Sequence, residues 1–305
     1  MAESDTALAT AESTELVTVP DERLSPTTRA QELVVMLGIY LGLLLPATFV
    51  GIGAQFLVLV GAMIYVIRRR RRWYRAVAQQ RDIQIALNDG DVAQAERIGR
   101  ALVMDGNRYS LAHACSVGAW GSIEVHRGNP QRAVEIMERV LATGRFTGRI
   151  GKVLEAWRYV AALAYAHAIA GDVEAAKRRL AEVDAVVEDN RRGMLLTIRA
   201  YIGCRAGEAE SVVKLFDAQW RAAETQLTVG GARTARMIEA FALEQMQGDG
   251  YRSAITDRRQ RALDRASEAP PGAFDYLAVC WPELQDFLAR NGLAASQPAS
   301  SSASS

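Results

Sequence analysis

Hydrophobic and polar positions follow two different rhythms along the chain. From Leu33 to Ile67 thirty-five residues pass without a charged side chain. A bilayer core of about 30 Å needs roughly 20 apolar residues as a helix, and no soluble core helix requires a run of this length. The run is too long for one upright span and short for two ordinary ones. Pro46, Gly51, Gly53 and Gln55 interrupt its middle, and Ser25-Pro26 reads as a helix start. The pattern predicts a transmembrane helical hairpin, with a first helix over 26–45 and a second from about residue 48 to Ile67. One long kinked or tilted span is the alternative. The run follows a 32-residue acidic stretch and lacks a basic leader, unlike a secretory signal.

Beyond residue 75 the rhythm changes. Apolar residues recur at three- and four-residue spacing, and sustained two-residue alternation is missing, so the chain reads as all-α. Val160, Leu163, Ala164, His167 and Ala168 precede one turn, and Val173, Ala176, Leu180, Val183 and Val187 follow it. Turns are signalled at Gly90-Asp91, Gly128-Asn129-Pro130, Gly171-Asp172, Gly207-Glu208 and Gly248-Asp249-Gly250, between 36 and 43 residues apart. Each glycine suits a left-handed helix end, and the polar residue after it suits the next N-cap. A helix with one apolar face cannot bury that face alone, so the pairs are expected to stack.

With the turn glycines aligned, the chain resembles the tetratricopeptide repeat family. That family's small residue in the first helix falls on Gly121 and Ala164. Its alanine in the second helix falls on Ala95, Ala133 and Ala176, and its following large apolar residue on Met137 and Leu180. The match is good at Gly128 and Gly171, partial at Gly90, and weak at Gly207 and Gly248, where Val212 and Ser253 occupy the alanine position. The resemblance implies an α-solenoid of about five helical hairpins with a concave groove that binds a protein or peptide. Polar and aromatic first-helix positions, Tyr109, Trp120, Glu124, Arg158, Tyr165 and Arg199, are the candidate groove residues.

The expected organisation is then an acidic disordered tail over 1–25 and the membrane segment over 26–72. The repeat domain covers 73–267, capping helices after Ala269-Pro270-Pro271-Gly272 cover 268–292, and a disordered tail covers 293–305.

Charge places the domain. The net charge of +1 hides a segregation. Residues 1–32 carry seven acids and two bases, residues 33–75 carry six arginines and no acid, and the remainder is balanced. Arg68, Arg69, Arg70, Arg71, Arg72 and Arg75 adjoin the apolar run, so the positive-inside rule predicts a cytoplasmic domain. The same arginines suit anionic lipid, and Trp73 and Tyr74 suit the headgroup region. A balanced body argues against nucleic-acid binding. Arginine far exceeds lysine, and with the Ala and Gly content this points to a GC-rich bacterial genome and an inner (cytoplasmic) membrane protein.

No catalytic, cofactor or metal motif stands out. His113 and Cys115 point to different helix faces, and Cys115, Cys204 and Cys280 lack metal-ligand spacing. Gly144–Lys152 departs from a phosphate loop, because Phe146 replaces the first glycine and Val153 follows the lysine. Arg258, Arg259, Arg261 and Arg265 read as a solvated helix face. The sequence thus points to a membrane-anchored interaction scaffold rather than an enzyme. A membrane enzyme or transporter subunit with its site at the hairpin is the second reading, although the uncharged run has no ionisable group to mark such a site.

Overall fold

A computed structural model of the chain describes residues 19–26, 34, 37, 38, 40, 41, 51–105, 111–146, 155–246 and 252–295. Its helices are α1 (Gly51–Asn88), α2 (Val92–Asp105), α3 (Leu111–His126), α4 (Pro130–Ala142), α5 (Trp157–Ala170) and α6 (Val173–Asp184). A 3-10 turn over Asp189–Leu195 leads into α7 (Leu196–Arg205). Then come α8 (Ala209–Glu224), α9 (Val229–Gln245), α10 (Arg252–Ala266), the short α11 (Asp275–Ala278) and α12 (Pro282–Arg290). No strand occurs among the described residues.

The turn glycines act as their chemistry requires. Gly90, Gly128, Gly171 and Gly207 have φ between +77° and +95°, a region that a side chain penalises. Asp91 and Asp172 then cap the next helix, accepting from the amides of Gln94 (2.8 Å) and Ala175 (3.0 Å). Asn129 makes no such cap, and Pro130 opens α4.

Helices pair as hairpins, α1 with α2 through α9 with α10, and the odd-numbered helices also pack on one another in succession. They form a shared inner layer, with the even-numbered helices outside. Small residues set the approach within pairs. Ala95, Ala133, Ala164 and Ala176 are fully buried, and a Cβ on Gly121 would stand 2.8 Å from Met137. The fourth pair trades positions. Val212 occupies the usual alanine site on α8, and Gly203 on α7 makes room, since a Cβ there would lie 2.6 Å from Val212. The stack curls until its last pair meets its first. Asn88 Nδ2 donates to Thr228 Oγ1 (3.3 Å), and Gly230 lies so close to Asn88 that a Cβ would be 2.8 Å away.

One bound falls within a helix and one expectation changes. Across the domain bound at residue 72, α1 runs continuously from Gly51 into the domain, where Ile83, Ala86 and Leu87 are buried. Arginine is a good helix former, so a run of arginines gives no reason to stop. Residues 19–25, expected to be disordered, pack on the domain through Val19 and Leu24. The acidic neighbours of these two residues hid their apolar role.

Among the described residues no helix is long and apolar enough to cross a membrane. The uncharged part of α1, Gly51–Ile67, reaches about 25 Å at 1.5 Å per residue, short of a bilayer core. Most of the first helix expected over 26–45 lies outside the described residues.

Candidate interaction surface

The odd-numbered helices share one layer, and the chain's own C-terminal segment packs across one end of it. The breaker at Pro270-Pro271 turns the chain back from α10, so that residues 270–281 cross the C-terminal ends of the inner helices. Pro270 comes up to Gly90 of the first turn, and Val279 to Gly128 of the second. Tyr276 stacks on His126 of α3, with centroids 4.1 Å apart. On α7, Tyr201 Oη donates to the carbonyl of Leu277 (2.6 Å), and Arg205 donates to the carbonyl of Cys280. The Arg205 guanidinium also lies 4.8 Å from the Trp281 ring. Trp281 meets Tyr201 and Phe241 edge-on at 5.3 and 5.1 Å. Two of these contacts grip main-chain carbonyls, two are aliphatic at the turn glycines, and the others are aromatic. That is the way a groove holds a peptide: backbone bonds fix register and pockets take side chains.

The expected cap is therefore partly a plug. Only α12 covers the end of the stack, where Arg290 pairs with Glu244 (2.6 Å) and Arg259 donates to Asn291 (3.1 Å).

Burial sets the chemistry of this interior. Tyr165 and Tyr201 have phenol pKa values pushed well up, and Tyr276 is raised to about 12, in each case mainly by desolvation. These phenols stay neutral; Tyr201 donates a hydrogen bond, and all three rings make aromatic contacts. Desolvation also lowers the pKa of His126, which donates from Nδ1 to the Ser122 carbonyl (3.0 Å). Burial raises Cys115 to about 11 and Cys204 to about 12, which leaves both thiols unreactive at neutral pH.

The candidate groove residues do not share one surface. Trp120 and Glu124 are buried on α3, where Glu124 accepts from Trp120 Nε1 (2.9 Å), Arg127 (3.1 Å) and Asn129 (3.0 Å). This carboxylate takes the Asn129 amide that would otherwise cap α4. Tyr165 sits on the inner face, edge-on to Tyr201 at 5.3 Å. Arg199 turns outward to Asp184 of α6 and Gln219 of α8. Arg158 is half exposed at the start of α5, 5.2 Å from the Trp157 ring and paired with Glu155. Tyr109 lies outside the described residues.

Tyr201, Arg205, His126 and Phe241, which line the filled surface, escaped the sequence reading. The apolar stretch Ala273–Trp281 beyond the double proline was the available signal. Other expected sites resolve into structure. Arg258 bonds Glu239 and Asp217, Arg259 bonds Glu244, and Arg265 bonds Glu268, so these arginines are partnered within the domain. Arg68, Arg71 and Arg75 are exposed along one side of α1, as is Tyr74. The side chains of Arg69, Arg70, Arg72 and Trp73 lie outside the described residues. A second hollow of about 320 Å³ between α1 and α2 is lined by Asp82, Ile85, Asp89, Asp91 and Ile98.

Comparison with protein-family models, with curated proteins and with solved structures gave no match.

Proposed function

We propose that the protein is a membrane-tethered scaffold whose tetratricopeptide-like domain binds a protein or peptide at the cytoplasmic face of a bacterial inner membrane. The observation that carries this reading is the filled inner surface. Tyr201 and Arg205 hold two main-chain carbonyls of an apolar segment, and aromatic side chains take its rings. A surface built this way recognises backbone and apolar side chains without performing chemistry. The tetratricopeptide likeness is supported by the buried small residues at Ala133, Ala164 and Ala176 and by the hairpin succession. The tether is supported by the 35-residue uncharged run and the arginines that follow it. Anionic lipid suits those arginines, and the balanced charge of the body gives nucleic acid no footprint.

The test is a crosslinked pull-down from membranes, comparing the natural chain with one whose residues 33–67 are replaced by an unrelated membrane hairpin. The same partners and the same cellular activity are expected from both. Loss of activity with folding, localisation and partner capture intact would give the membrane segment a role of its own.

A further inference from the structure

The uncharged run has two flanks, and both are fastened to the same domain. On the N-terminal side, residues 20–24 form a turn closed by Arg23 N–H to the Pro20 carbonyl (2.8 Å). The turn lies against α3 and α4. His113 Nε2 of α3 donates to the Arg23 carbonyl (2.9 Å), and Asp21 pairs with Arg132 of α4. Leu24 is 2% exposed and Val19 is 9% exposed, in one cluster with Ile123, Ile136 and Phe146. On the C-terminal side, α1 enters that same cluster at Ile83, Ala86 and Leu87.

Between these anchor points most of the described apolar side chains face outward. Val34, Leu37, Tyr40 and Leu41 are exposed before the break, and Met63, Ile64 and Ile67 after it. Arg68, Arg71 and Arg75 follow on α1. Apolar side chains facing out on both sides of the break, with a basic flank toward the domain, fit an anionic bilayer as the occupant.

We infer that the uncharged run enters and leaves the bilayer through one face, so that residues 19–26, the arginine flank and the helical domain share one side. The inference rests on the membrane reading above and decides between its two topologies. A single crossing would put residues 19–26 on the far side, and Leu24 and Val19 would have to leave the core they share with Ile83. Chain length permits the return. Gly51 stands 32 residues along α1 from Ile83, about 48 Å at 1.5 Å per residue. With a helix over 26–45, the stretch from Pro26 to Gly51 covers about 30 Å at 1.5 Å per residue plus up to about 20 Å of extended chain, which together just match that length.

The experiment uses the full chain in native membranes, with an epitope at each terminus and protease added to sealed vesicles of either orientation. Both epitopes should be cut in inside-out vesicles and protected in right-side-out ones. An N-terminal epitope cut in right-side-out vesicles, with the C-terminal one protected, overturns the inference and leaves the membrane reading standing. Both epitopes in the soluble fraction overturns the two together. A second measurement reads the docking itself. In a Cys280→Ser background, an Asp21→Cys, Arg132→Cys pair should be joined within one chain by a short bis-maleimide in the membrane fraction. Separate labelling of the two thiols without joining counts against it.

Discussion

The two ends of α1 share one helix and face different surroundings. Near its outer end Met63, Ile64 and Ile67 turn outward, and no charge occurs from Gly51 to Ile67. Sixteen residues after Ile67, Ile83 is fully buried, and Ala86 and Leu87 nearly so, while Asp82, Ile85 and Asp89 face away. Backbone hydrogen bonding is continuous across both ends, so helix propensity cannot explain the difference. The pattern does. An inner end apolar on one face buries that face in protein, while the uncharged sequence of the outer end suits lipid under the proposed tether. Arg68, Arg71 and Arg75 lie exposed between the two ends.

The comparison breaks first at the outer end. Ile64→Asp should reduce the membrane-bound fraction severalfold, since an acid near the end of a membrane helix costs part of the roughly 2.5–3.5 kcal/mol it costs at the centre. Thermal unfolding of the domain should stay unchanged. A variant that stays on the membrane would show that the outer end does not enter lipid.

The inner end should give the reverse result. Ile83→Ala removes a fully buried side chain and should cost about 2–5 kcal/mol of domain stability in denaturant titration, with membrane association retained. A loss near zero would place Ile83 outside the core.

Packing farther round the stack sharpens the contrast. Gly203→Ala should cost about 1–3 kcal/mol, because the new methyl meets Val212. Combined with Val212→Ala it should recover part of the loss, a coupling that a double-mutant cycle measures. Additive losses would mean that the two residues do not touch. Membrane binding should be indifferent to both changes.

The smallest effect is one of pH. The pKa of His126 is lowered by burial, so the unfolded chain binds a proton that the folded chain resists. Stability from this group is fully present above the ordinary pKa of about 6.5 and falls as pH drops through and below it. His126→Gln should flatten that part of the stability profile, read by thermal melts between pH 7.5 and 5. An unchanged slope would mean that His126 does not titrate differently on folding.

Much of the scaffold was legible because it rests on steric necessity. Gly90, Gly128, Gly171 and Gly207 take positive φ, and Ala95, Ala133, Ala164 and Ala176 are buried where helices touch. The weak fourth repeat kept its packing by moving the small residue from α8 to Gly203 of α7, which a position-by-position alignment misses. The interaction surface was less legible. Polar and aromatic character on a first helix does not say which way a side chain points. Trp120 and Glu124 satisfy each other, Arg199 is taken by Asp184, and residues 270–281 cover the face that was expected to be open. The docking of Val19 and Leu24 was hidden by the acids around them, since composition averages over two apolar residues that a long-range pocket selects.

The most direct measurement of the account is flotation of the purified full chain with vesicles containing anionic lipid, alongside Ile64→Asp and Ile83→Ala. The natural chain and Ile83→Ala should rise with the vesicles, and a larger share of Ile64→Asp should stay below. A natural chain that remains at the bottom of the gradient while folded would contradict the tether, and with it the claim that one helix serves both lipid and protein core.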